Sequence, residues 1–458
     1  MEKLPLGNPE KFKFSHFYLR NFWFLLWFKL WYKDITIIGK EHLDRKTPTI
    51  LAINHQNTAM DPLVLCGTIF RQITWLARAD LYKKKFLHPI LHAFKILPIF
   101  RQRDGIKSLE NNDIVFEKVV EVISAKKLVG LFPEGTHWGF RRLRQTRKGI
   151  PKIVILAETM NNYDMDININ PVGIYYDDYV SIRSNLFVKI GEPIPMRQFI
   201  ASMKETPQIA ENEIRSAIED GMRNVMIDIP QMDDTYYTVD NLRHICRSVT
   251  AKKFTSQGDK LTRDYCADKK TVEILEQKET ESAGFLASLK DKVGGYVQLL
   301  RKADYTIDLA DNNGDDAFQI IWNSMKIVAL FPFFVCGAVL WGGIYLLTRK
   351  LGNTLTKDIQ FKNSIMFVTS LVMSSLWHTV LVVLWLVFVP LPWWTVFLFF
   401  IFLYVVWCVF IDYPRLTKRT CREISFNCGL ISKKPQIVDI CNKRDEIKEI
   451  FSSMIGNL

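Results

Sequence analysis

Short apolar runs alternate with longer stretches of helical spacing between Asp34 and Arg197. Apolar runs of this length that are rich in β-branched residues are typical of buried strands. The predicted strands are Ile35–Ile38, Thr49–Ile53, Ile73–Arg78, Ile96–Phe100, Leu128–Phe132, Asn168–Tyr175 and Leu186–Ile190. Helices are predicted near residues 63–70, 86–94, 107–125 and 148–160. Strands that alternate with helices in this way indicate an α/β domain with a mostly parallel or mixed sheet flanked by helices.

The segment that precedes this pattern, residues 14–32, is crowded with aromatic side chains. Trp23, Trp27 and Trp31 are spaced four residues apart and therefore share one face of a helix. The strictly apolar run is too short to cross a bilayer, and a lysine interrupts it. Because Trp and Tyr side chains favour the headgroup region, we predict a membrane-interface helix within residues 1–33, with a buried core helix as the alternative.

Residues 198–325 are charged and rich in helix-forming residues, with few strand-like runs. Helices are predicted within Met203–Met226 and Thr271–Lys302. No motif that carries chemistry is evident in this part of the sequence, so we expect a solvated helical insert. Any chemistry is therefore expected in the α/β domain over residues 34–197.

Three long hydrophobic segments follow within residues 326–412: Ile327–Leu347, Ile365–Val387 and Trp393–Ile411. Each is long enough to cross a hydrocarbon core of roughly 30 Å at about 1.5 Å per residue. His378 is the ionisable imidazole within them, and a lone histidine beside Trp377 is more often a packing residue than a functional one. A basic tail over residues 413–458 comes after these segments.

The distribution of basic residues predicts how these segments are oriented. The loop at 348–364 and the tail are both basic, whereas the turn at 388–392 carries no charge. Since basic loops stay on the cytoplasmic side, 365–387 and 393–411 are predicted to form a membrane-spanning hairpin. We therefore expect 327–347 to lie re-entrant or in the interface, with a true third span as the alternative.

The composition favours a membrane surface over nucleic acid as the partner. The formal net charge is +12, while 48% of the residues are hydrophobic and 13% are aromatic. A chain that is both basic and apolar suits an anionic bilayer surface. No zinc-finger spacing, RNA-binding aromatic signature or phosphate-binding Walker loop is present in the sequence. The eight cysteines show no Cys-x-x-Cys pair, which predicts free thiols in a reducing compartment.

A histidine and a carboxylate, His55 and Asp61, lie in the turn between the predicted strand Thr49–Ile53 and the next helix. An imidazole can take a proton from a hydroxyl, and a carboxylate can orient its ring and stabilise the imidazolium. No Gly-x-Ser-x-Gly turn accompanies the pair, which favours direct activation of a substrate hydroxyl over a covalent triad. The alternative is local, because Asp61 before Pro62 is also a suitable helix N-cap.

Three further clusters follow predicted strands. Arg101 ends one strand and Arg103 follows it, and a guanidinium there can bind a phosphate through two parallel hydrogen bonds. Phe132–Thr136, with the sequence Phe-Pro-Glu-Gly-Thr, ends another strand with a carboxylate, a flexible glycine and a hydroxyl. Pro171 lies on a later strand. Taken singly, Arg101 suits a surface charge and Glu134 suits the start of a helix.

In this order and spacing the clusters resemble the glycerolipid acyltransferase family, which contains bacterial 1-acyl-glycerol-3-phosphate acyltransferases. The resemblance covers about residues 35–195 and rests on four motifs in register. The matching positions are His55 and Asp61 in the first motif, Arg101 in the second, Phe132–Thr136 in the third and Pro171 in the fourth. Arg78 stands where the family often has a basic residue, which is a weaker match.

The sequence departs from the family pattern in three places. Five residues, Gln56 to Met60, separate His55 from Asp61, where most members have four, and this spacing looks like the fungal type of glycerol-3-phosphate acyltransferase. The third motif continues as His137-Trp138, where lysophosphatidate enzymes commonly carry Arg-Ser. The usual glycine of the second motif is absent, and a lysine stands near its position.

The resemblance implies a role for each matching residue. His55 would deprotonate the acceptor hydroxyl while Asp61 orients the imidazole. Arg101 and Glu134 would position a phosphorylated acceptor, Arg101 through its phosphate. Gly135 would help to shape the site of the developing oxyanion. Thr136 and Arg78 complete the set of substrate-binding residues that the resemblance implies.

The resemblance also implies the partners of the reaction. The acyl donor would be acyl-CoA or acyl carrier protein, and no metal or bound cofactor is expected. The acceptor would be a phosphorylated glycerol, with membrane lipid close by. The catalytic domain is expected on the cytoplasmic side of the cytoplasmic membrane, in phospholipid biosynthesis.

Three functions are compatible with the sequence. The first is acylation of 1-acyl-glycerol 3-phosphate to phosphatidic acid. The second keeps the chemistry but takes glycerol 3-phosphate or another lysolipid as the acceptor. The third is a catalytically dead membrane scaffold or transport protein, against which stand the retained His55, Asp61, Arg101 and Glu134.

Overall fold

The computed structural model describes residues 6–101, 109–255, 257–311 and 317–456, without the side chains of Leu19, Phe22, Trp23 and Phe86. Two units divide the chain. The first contains residues 1–226 together with 356–364, and the second contains 227–355 together with 365–458.

Eight strands of the described first unit form one mixed sheet. The strands are β1 (Tyr32–Ile38), β2 (Thr49–Ile53), β3 (Ile73–Arg78), β4 (Ile96–Ile99), β5 (Leu128–Leu131), β6 (Asn168–Tyr176), β7 (Ser184–Ile190) and β8 (Ile194–Pro195). Their order is β1-β7-β6-β2-β5-β3-β4, and β8 pairs with β6. All pairs are parallel except β6 with β7 and β6 with β8. The predicted fold class is therefore confirmed.

Helices cover both faces of this sheet. They are Met60–Thr68, His88–Ala93, Asn111–Ser124, Gly149–Met160, Ile200–Glu205 and Pro207–Val225. The side chains of β2 are fully buried, as expected for a central strand of an α/β sheet. The core beside it contains Val119, Ile150 and Ile214, each 1% exposed or less.

The first unit extends past the expected domain boundary at residue 197. Helix Pro207–Val225 buries the stripe Ala210, Ile214, Ile218 and Met222 in the core of the α/β unit. The helix approaches β6 so closely that a Cβ on Gly173 would lie 1.8 Å from the Val225 carbonyl oxygen. The sequence of this helix is polar overall, but its apolar stripe packs in the core of the α/β unit.

The N-terminal aromatic segment is helical but not wholly exposed. It consists of α-helices Phe14–Tyr18 and Leu25–Trp31 with a π-helical stretch, Leu19–Phe24, between them. Trp27 and Trp31 are buried, so they do not face a membrane, and the side chain of Trp23 lies outside the described part. The core-helix alternative therefore holds for the second half of the segment.

Arg20 connects this aromatic segment to the helix that carries the candidate site. Its buried guanidinium donates to the backbone oxygens of Cys66 at 2.6 Å and Ile69 at 3.0 Å. These are carbonyl groups at the end of helix Met60–Thr68, where intrahelical partners run out. The aromatic segment thus stabilises the C-terminal end of that helix.

The described second unit is entirely helical. Its helices are Thr235–Ile245, Arg247–Phe254, Lys260–Glu281, Phe285–Lys302, Ile307–Asp311, Ala317–Leu355, Ile359–Phe388, Thr395–Ile431 and Pro435–Gly456, of which Ile359–Phe388 begins in the first unit. The charged segment is not merely solvated, because the tail packs on it. Lys292 pairs with Glu446 at 2.6 Å, and Arg422 donates to Asp304 at 3.2 Å.

Three helices of the described chain are long and apolar enough to cross a membrane: Ala317–Leu355, Ile359–Phe388 and Thr395–Ile431. The first runs unbroken through Pro332, so it is not a re-entrant pair of half-helices. Gly337 allows it to pack closely on the third, where a Cβ would lie 2.5 Å from Phe410 Cβ. His378 bonds within its own helix, where its Nδ1 lies 2.6 Å from the Ser374 backbone oxygen.

Candidate active site

The predicted motif residues follow four neighbouring strands of the sheet. β2, β5, β3 and β4 are adjacent in this order and all parallel. Their carboxyl ends therefore meet at one edge, which we call the catalytic edge. Ligands in open α/β sheets bind outside the carboxyl ends of strands.

His55 and Asp61 form the centre of this edge. His55 Nδ1 lies 2.8 Å from Asp61 Oδ2, and the Asp61 side chain is fully buried while that of His55 is 17% exposed. Since a carboxylate only accepts, Nδ1 carries the proton and Nε2 remains the basic nitrogen. The pair predicted from the sequence is thus brought together in the geometry of a general base and its orienting acid.

Further hydrogen bonds fix Asp61. Its Oδ2 accepts from the backbone N–H groups of Gln56 at 3.0 Å and Asn57 at 2.9 Å. Its Oδ1 accepts from the buried Tyr176 hydroxyl at 2.7 Å. Asp61 lies inside the first turn of helix Met60–Thr68 and not at its N-cap, which is Ala59. The carboxylate therefore organises the turn that carries the histidine.

The turn itself is held to a second strand and is strained at one residue. The Asn54 side chain accepts from Ile174 N at 2.7 Å and donates to Ile174 O at 3.1 Å, which fastens the end of β2 to β6. Thr58 has a positive φ of 43°, a conformation that is uncommon for a residue other than glycine. A non-glycine residue in this region indicates that the surrounding contacts determine the turn.

Glu134 supports the base from behind. It is 3% exposed, and its two oxygens accept from His55 N at 2.9 Å and Arg144 N at 3.4 Å. Burial raises the pKa of Glu134 to about 7, although both backbone donors act in the opposite direction. Its contacts are those of a positioning residue, and direct contact with an acceptor stays a prediction.

The rest of the third motif surrounds the imidazole. The Phe132 ring stacks on His55 with centroids 4.3 Å apart, and Trp138 N–H donates to His55 O at 3.1 Å. Gly135 has a φ of +71°, and its N–H donates to Phe132 O at 3.0 Å. This amide is therefore engaged within the turn, so an oxyanion-binding role for Gly135 finds no open donor there. Thr136 is half-buried beside it.

Arg78 and Arg101 lie farther along the same edge. Arg78 ends β3, is about half exposed and pairs with Asp80. Arg101 is half-buried and follows Phe100, whose backbone N and O both bond to the Asn112 side chain at 2.9 Å. At about 4.8 Å between strands, β4 is roughly 14 Å from β2. A contact between Arg101 and a phosphate therefore stays a prediction. Arg103 lies outside the described residues.

Sequence reasoning missed two groups near the base. Tyr176, which bonds Asp61, is the last residue of β6, one residue beyond the predicted strand Asn168–Tyr175, and carried no signal of its own. His137 was noted only as a departure from the family pattern, and it contacts Asp358, which is 221 residues away in sequence. In the part of the chain that the structure describes, no group of three His, Cys, Asp or Glu side chains is placed to hold a metal ion.

A family model matches the part of the chain that carries this site. Residues 34–175 match the family model described as Acyltransferase. These residues form an acyltransferase domain. The resemblance that the four motifs indicated is thereby confirmed, and His55, Asp61 and Glu134 all lie within the acyltransferase domain.

Two curated relatives support the same assignment. A 1-acyl-sn-glycerol-3-phosphate acyltransferase of Borreliella burgdorferi is 29% identical over 153 residues, which cover 33% of this chain and 56% of that protein. Glycerol-3-phosphate O-acyltransferase 1 of Saccharomyces cerevisiae is 20% identical over 306 residues, which cover 65% of this chain and 37% of that protein. The chain thus spans little more than half of the first relative and less than half of the second.

A solved structure is also similar to part of the chain. The 1-acyl-sn-glycerophosphate acyltransferase of Thermotoga maritima is 17% identical, with a TM-score of 0.32, and the match covers 45% of this chain and 78% of that one.

Proposed function

We propose that this protein transfers a fatty acyl group from a thioester to a hydroxyl of a phosphorylated glycerol. The observation that carries the proposal is the His55–Asp61 pair, with the acid buried, the base 17% exposed and 2.8 Å between them. A base that is fixed on one side and open on the other is what proton removal from a hydroxyl requires. The acyltransferase domain and both relatives support the substrate class.

The reaction needs a base and an orienting acid. The acceptor hydroxyl gives its proton to His55 Nε2 while its oxygen bonds to the thioester carbonyl carbon. Asp61 stabilises the imidazolium that forms. When the tetrahedral intermediate collapses, the carbon–sulfur bond breaks and the leaving thiolate takes the proton from Nε2. The proton is balanced by these groups alone, so the proposal needs no metal or resident cofactor.

The acceptor proposed first is 1-acyl-glycerol 3-phosphate, with acyl-CoA or acyl carrier protein as the donor and phosphatidic acid as the product. The higher identity to the bacterial relative supports it. Glycerol 3-phosphate is the second candidate. It is favoured by the match to the fungal relative, which extends over 65% of this chain, well beyond the acyltransferase domain.

An acceptor panel tests the proposal. The 458-residue chain, purified in detergent, is given radiolabelled acyl-CoA or acyl carrier protein with glycerol 3-phosphate, 1-acyl-glycerol 3-phosphate or a lysolipid that lacks a phosphomonoester. We expect label in a phosphorylated glycerolipid and none with His55→Ala. Transfer only to the lysolipid without the phosphomonoester, or equal transfer by His55→Ala, would contradict the proposal.

We also propose that the catalytic domain lies on the cytoplasmic side of the membrane and that helix Ala317–Leu355 does not cross it. Thr58, in the catalytic turn, bonds to residues of the segment 356–364 that follows this helix. Among the described residues of 227–316, no helix is apolar enough to span. Both ends of Ala317–Leu355 are therefore on the side of the catalytic turn, since a single crossing would separate them.

The same argument supports a hairpin for the other two apolar helices. The tail packs on the segment 227–316 through Arg422 with Asp304 and Lys292 with Glu446, so both belong on one side. Two crossings, by Ile359–Phe388 and Thr395–Ile431, return the chain to that side. The basic loop and tail and the free thiols favour the cytoplasm as that side.

Cysteine labelling in intact cells tests this topology. Single cysteines are introduced as Lys40→Cys, Leu355→Cys, Leu391→Cys and Ile431→Cys after the native thiols are replaced. We expect an impermeant reagent outside the cell to label only position 391. Labelling of position 355 from outside while position 40 stays protected would show that Ala317–Leu355 spans.

A further inference from the structure

A second histidine–carboxylate pair lies beside the catalytic one. His137 Nε2 is 2.7 Å from Asp358 Oδ2. The His137 ring stands edge-on to that of His55, with centroids 5.9 Å apart and an interplanar angle of 82°. His137 comes from the acyltransferase domain, whereas Asp358 comes from the segment 356–364, which we call the interhelix segment because it joins two apolar helices.

The interhelix segment is fastened to the catalytic turn at several points. The Thr58 hydroxyl lies 3.1 Å from Gln360 O and 2.9 Å from Ser364 Oγ. Trp31 Nε1 donates to Asn363 Oδ1 at 3.2 Å. Thr58 is only 5% exposed, so these bonds are shielded from water. The segment therefore has a defined place against the residues that carry the base.

The interhelix segment also packs closely against the residues around His137. The Gln360 side chain passes directly over Gly139, where a Cβ would lie 2.1 Å from Gln360 Nε2. The Asp358 carboxylate is fixed from its other oxygen, because Gln360 N donates to Oδ1 at 3.0 Å. Asp358 is thus held at both of its oxygens, by His137 at Oδ2 and by Gln360 N at Oδ1.

We propose that His137 contacts the polar head of the acyl acceptor and that Asp358 positions it, so that the interhelix segment completes the active site. Nε2 of His137 is held by Asp358, and within the described residues Nδ1 makes no hydrogen bond to protein. The His137 side chain is 27% exposed, which leaves Nδ1 for a substrate. This inference rests on the proposed function, because the acceptor is the molecule whose hydroxyl lies at His55.

The separation of the two rings selects which part of the acceptor His137 contacts. A group that touches both rings at 5.9 Å is only a carbon or two from the reacting hydroxyl. In a phosphorylated glycerol these positions carry oxygen, either a neighbouring hydroxyl or the phosphate ester. Because Nε2 gives its proton to the Asp358 carboxylate, Nδ1 of the neutral ring accepts from such a hydroxyl, and Nδ1 donates to a phosphate-ester oxygen only when the ring is an imidazolium. The hydrocarbon chain of the acyl donor offers no such partner.

Steady-state kinetics on the full chain test the inference. Acyl-CoA is used as the donor, with glycerol 3-phosphate and 1-acyl-glycerol 3-phosphate as separate acceptors. For His137→Ala and Asp358→Asn we expect the acceptor KM to rise roughly three- to tenfold, as for one lost hydrogen bond, with kcat and the donor KM within about twofold of wild type. His137→Gln should recover part of the loss because its amide can still bond to oxygen.

A double variant shows whether Asp358 acts through His137. If it does, His137→Ala with Asp358→Asn should raise the acceptor KM no more than His137→Ala alone. The matched control is Glu192→Gln, whose carboxylate pairs with His42 at 3.3 Å. His42 follows β1, which runs opposite to β2, so this pair lies at the far edge of the sheet.

Two outcomes would overturn the inference. An unchanged acceptor KM in His137→Ala would show that the ring does not contact the acceptor. A fall in kcat and in thermal stability with both KM values unchanged would make the pair a structural tether only. Failure of the proposed function looks different, because the wild-type chain itself would then acylate neither glycerol phosphate.

Discussion

Two carboxylates, Asp61 in the first unit and Asp268 in the second, are equally buried but have different partners. Both are fully buried. Asp61 bonds to an imidazole, two backbone N–H groups and a tyrosine hydroxyl. Asp268 bonds to Arg243 at 2.5 Å and to Arg247 at 2.7 and 2.9 Å. Only the first group of partners includes an imidazole, a side chain that can serve as a general base.

The histidines beside the two carboxylates differ in the same way. His244 accepts from Arg247 at 2.8 Å, and burial, together with the charge of Arg243, lowers the pKa of His244 to about 3. It therefore stays neutral at physiological pH, and its Nδ1 is occupied by Arg247. We call Arg243, His244, Arg247 and Asp268 the closed cluster. His55 instead has one nitrogen held by a carboxylate and the other open. A buried carboxylate beside a histidine can therefore act as a catalytic pair only where one ring nitrogen of the histidine remains accessible to a substrate.

The largest expected effect is at the His55–Asp61 pair. His55→Ala should lower acyl transfer about 10²- to 10⁴-fold, because the general base is lost, and should leave the thermal unfolding midpoint nearly unchanged. Initial rates and unfolding are measured on the same detergent preparation. The matched control is His42→Ala at the far edge of the sheet, which should keep its rate. Normal turnover in a folded His55→Ala protein would remove the catalytic assignment.

The closed cluster should respond in the opposite way, with a loss of stability and an unchanged activity. Asp268→Asn removes the fully buried carboxylate that pairs with the buried Arg243 and the partly buried Arg247, which keep only the more exposed Asp240 and Asp264 as acidic partners. We therefore expect a loss of roughly 3 kcal/mol in unfolding free energy and an unchanged rate per folded molecule. The control is Glu273→Gln on the same helix, whose pair with Lys270 is about half exposed and should contribute about 0.5 kcal/mol or less. Equal effects of the two variants would mean that the cluster is not a stabilising centre.

The sequence is most informative where local spacing and burial agree. β2 and β3 begin and end at the predicted residues because each is a strand-length apolar run with clear boundaries. β8 was missed because two residues make no pattern. The burial of Trp27 and Trp31 was not predictable, since the same aromatic periodicity suits a protein core and a lipid headgroup.

The candidate site was predictable to the extent that its residues follow strands. His55, Glu134 and Arg101 each follow a strand of one parallel set, so their position at one edge follows from topology. Asp61 lies in the first turn of the helix after β2 and reaches the same edge through the turn that carries His55. Asp358 lies between two apolar helices, and nothing in its local sequence connects it to His137. Contacts over such separations depend on how the chain folds back, which local patterns do not report.

Glu134 offers a comparison within the first unit, because it is buried but has no ion-pair partner of the strength that Asp268 has. Its pKa in the folded protein is about 7, against an ordinary value of 4.5. Between these pH values the folded protein holds a proton that the unfolded chain has released, so stability falls as pH rises from 4.5 to 7. At about 1.4 kcal/mol per pH unit, the total is at most roughly 3 kcal/mol.

Glu134→Gln removes this dependence. The unfolding midpoint of wild type minus that of Glu134→Gln should fall between pH 5 and 7 and be constant above about pH 7. Turnover should also fall, since glutamine cannot accept from both His55 N and Arg144 N. A midpoint difference that does not change with pH would show that the Glu134 carboxyl ionises as in the unfolded chain.

The smallest expected effect separates an arginine at the catalytic edge from an arginine buried beside Asp268. Arg101 is half-buried at the catalytic edge, whereas Arg243 is 1% exposed in the closed cluster. Arg101→Lys keeps the charge but loses the planar pair of donors, so the acceptor KM should rise about tenfold while the donor KM and the stability stay unchanged. Arg243→Lys should instead lower stability without changing either KM. Arg197→Lys, at the far edge with Asp166, is the control for the substitution itself. If Arg101→Lys leaves the acceptor KM unchanged, phosphate binding belongs to Arg78 or to the basic residues that follow the third motif, which are Arg141, Arg142, Arg144, Arg147 and Lys148.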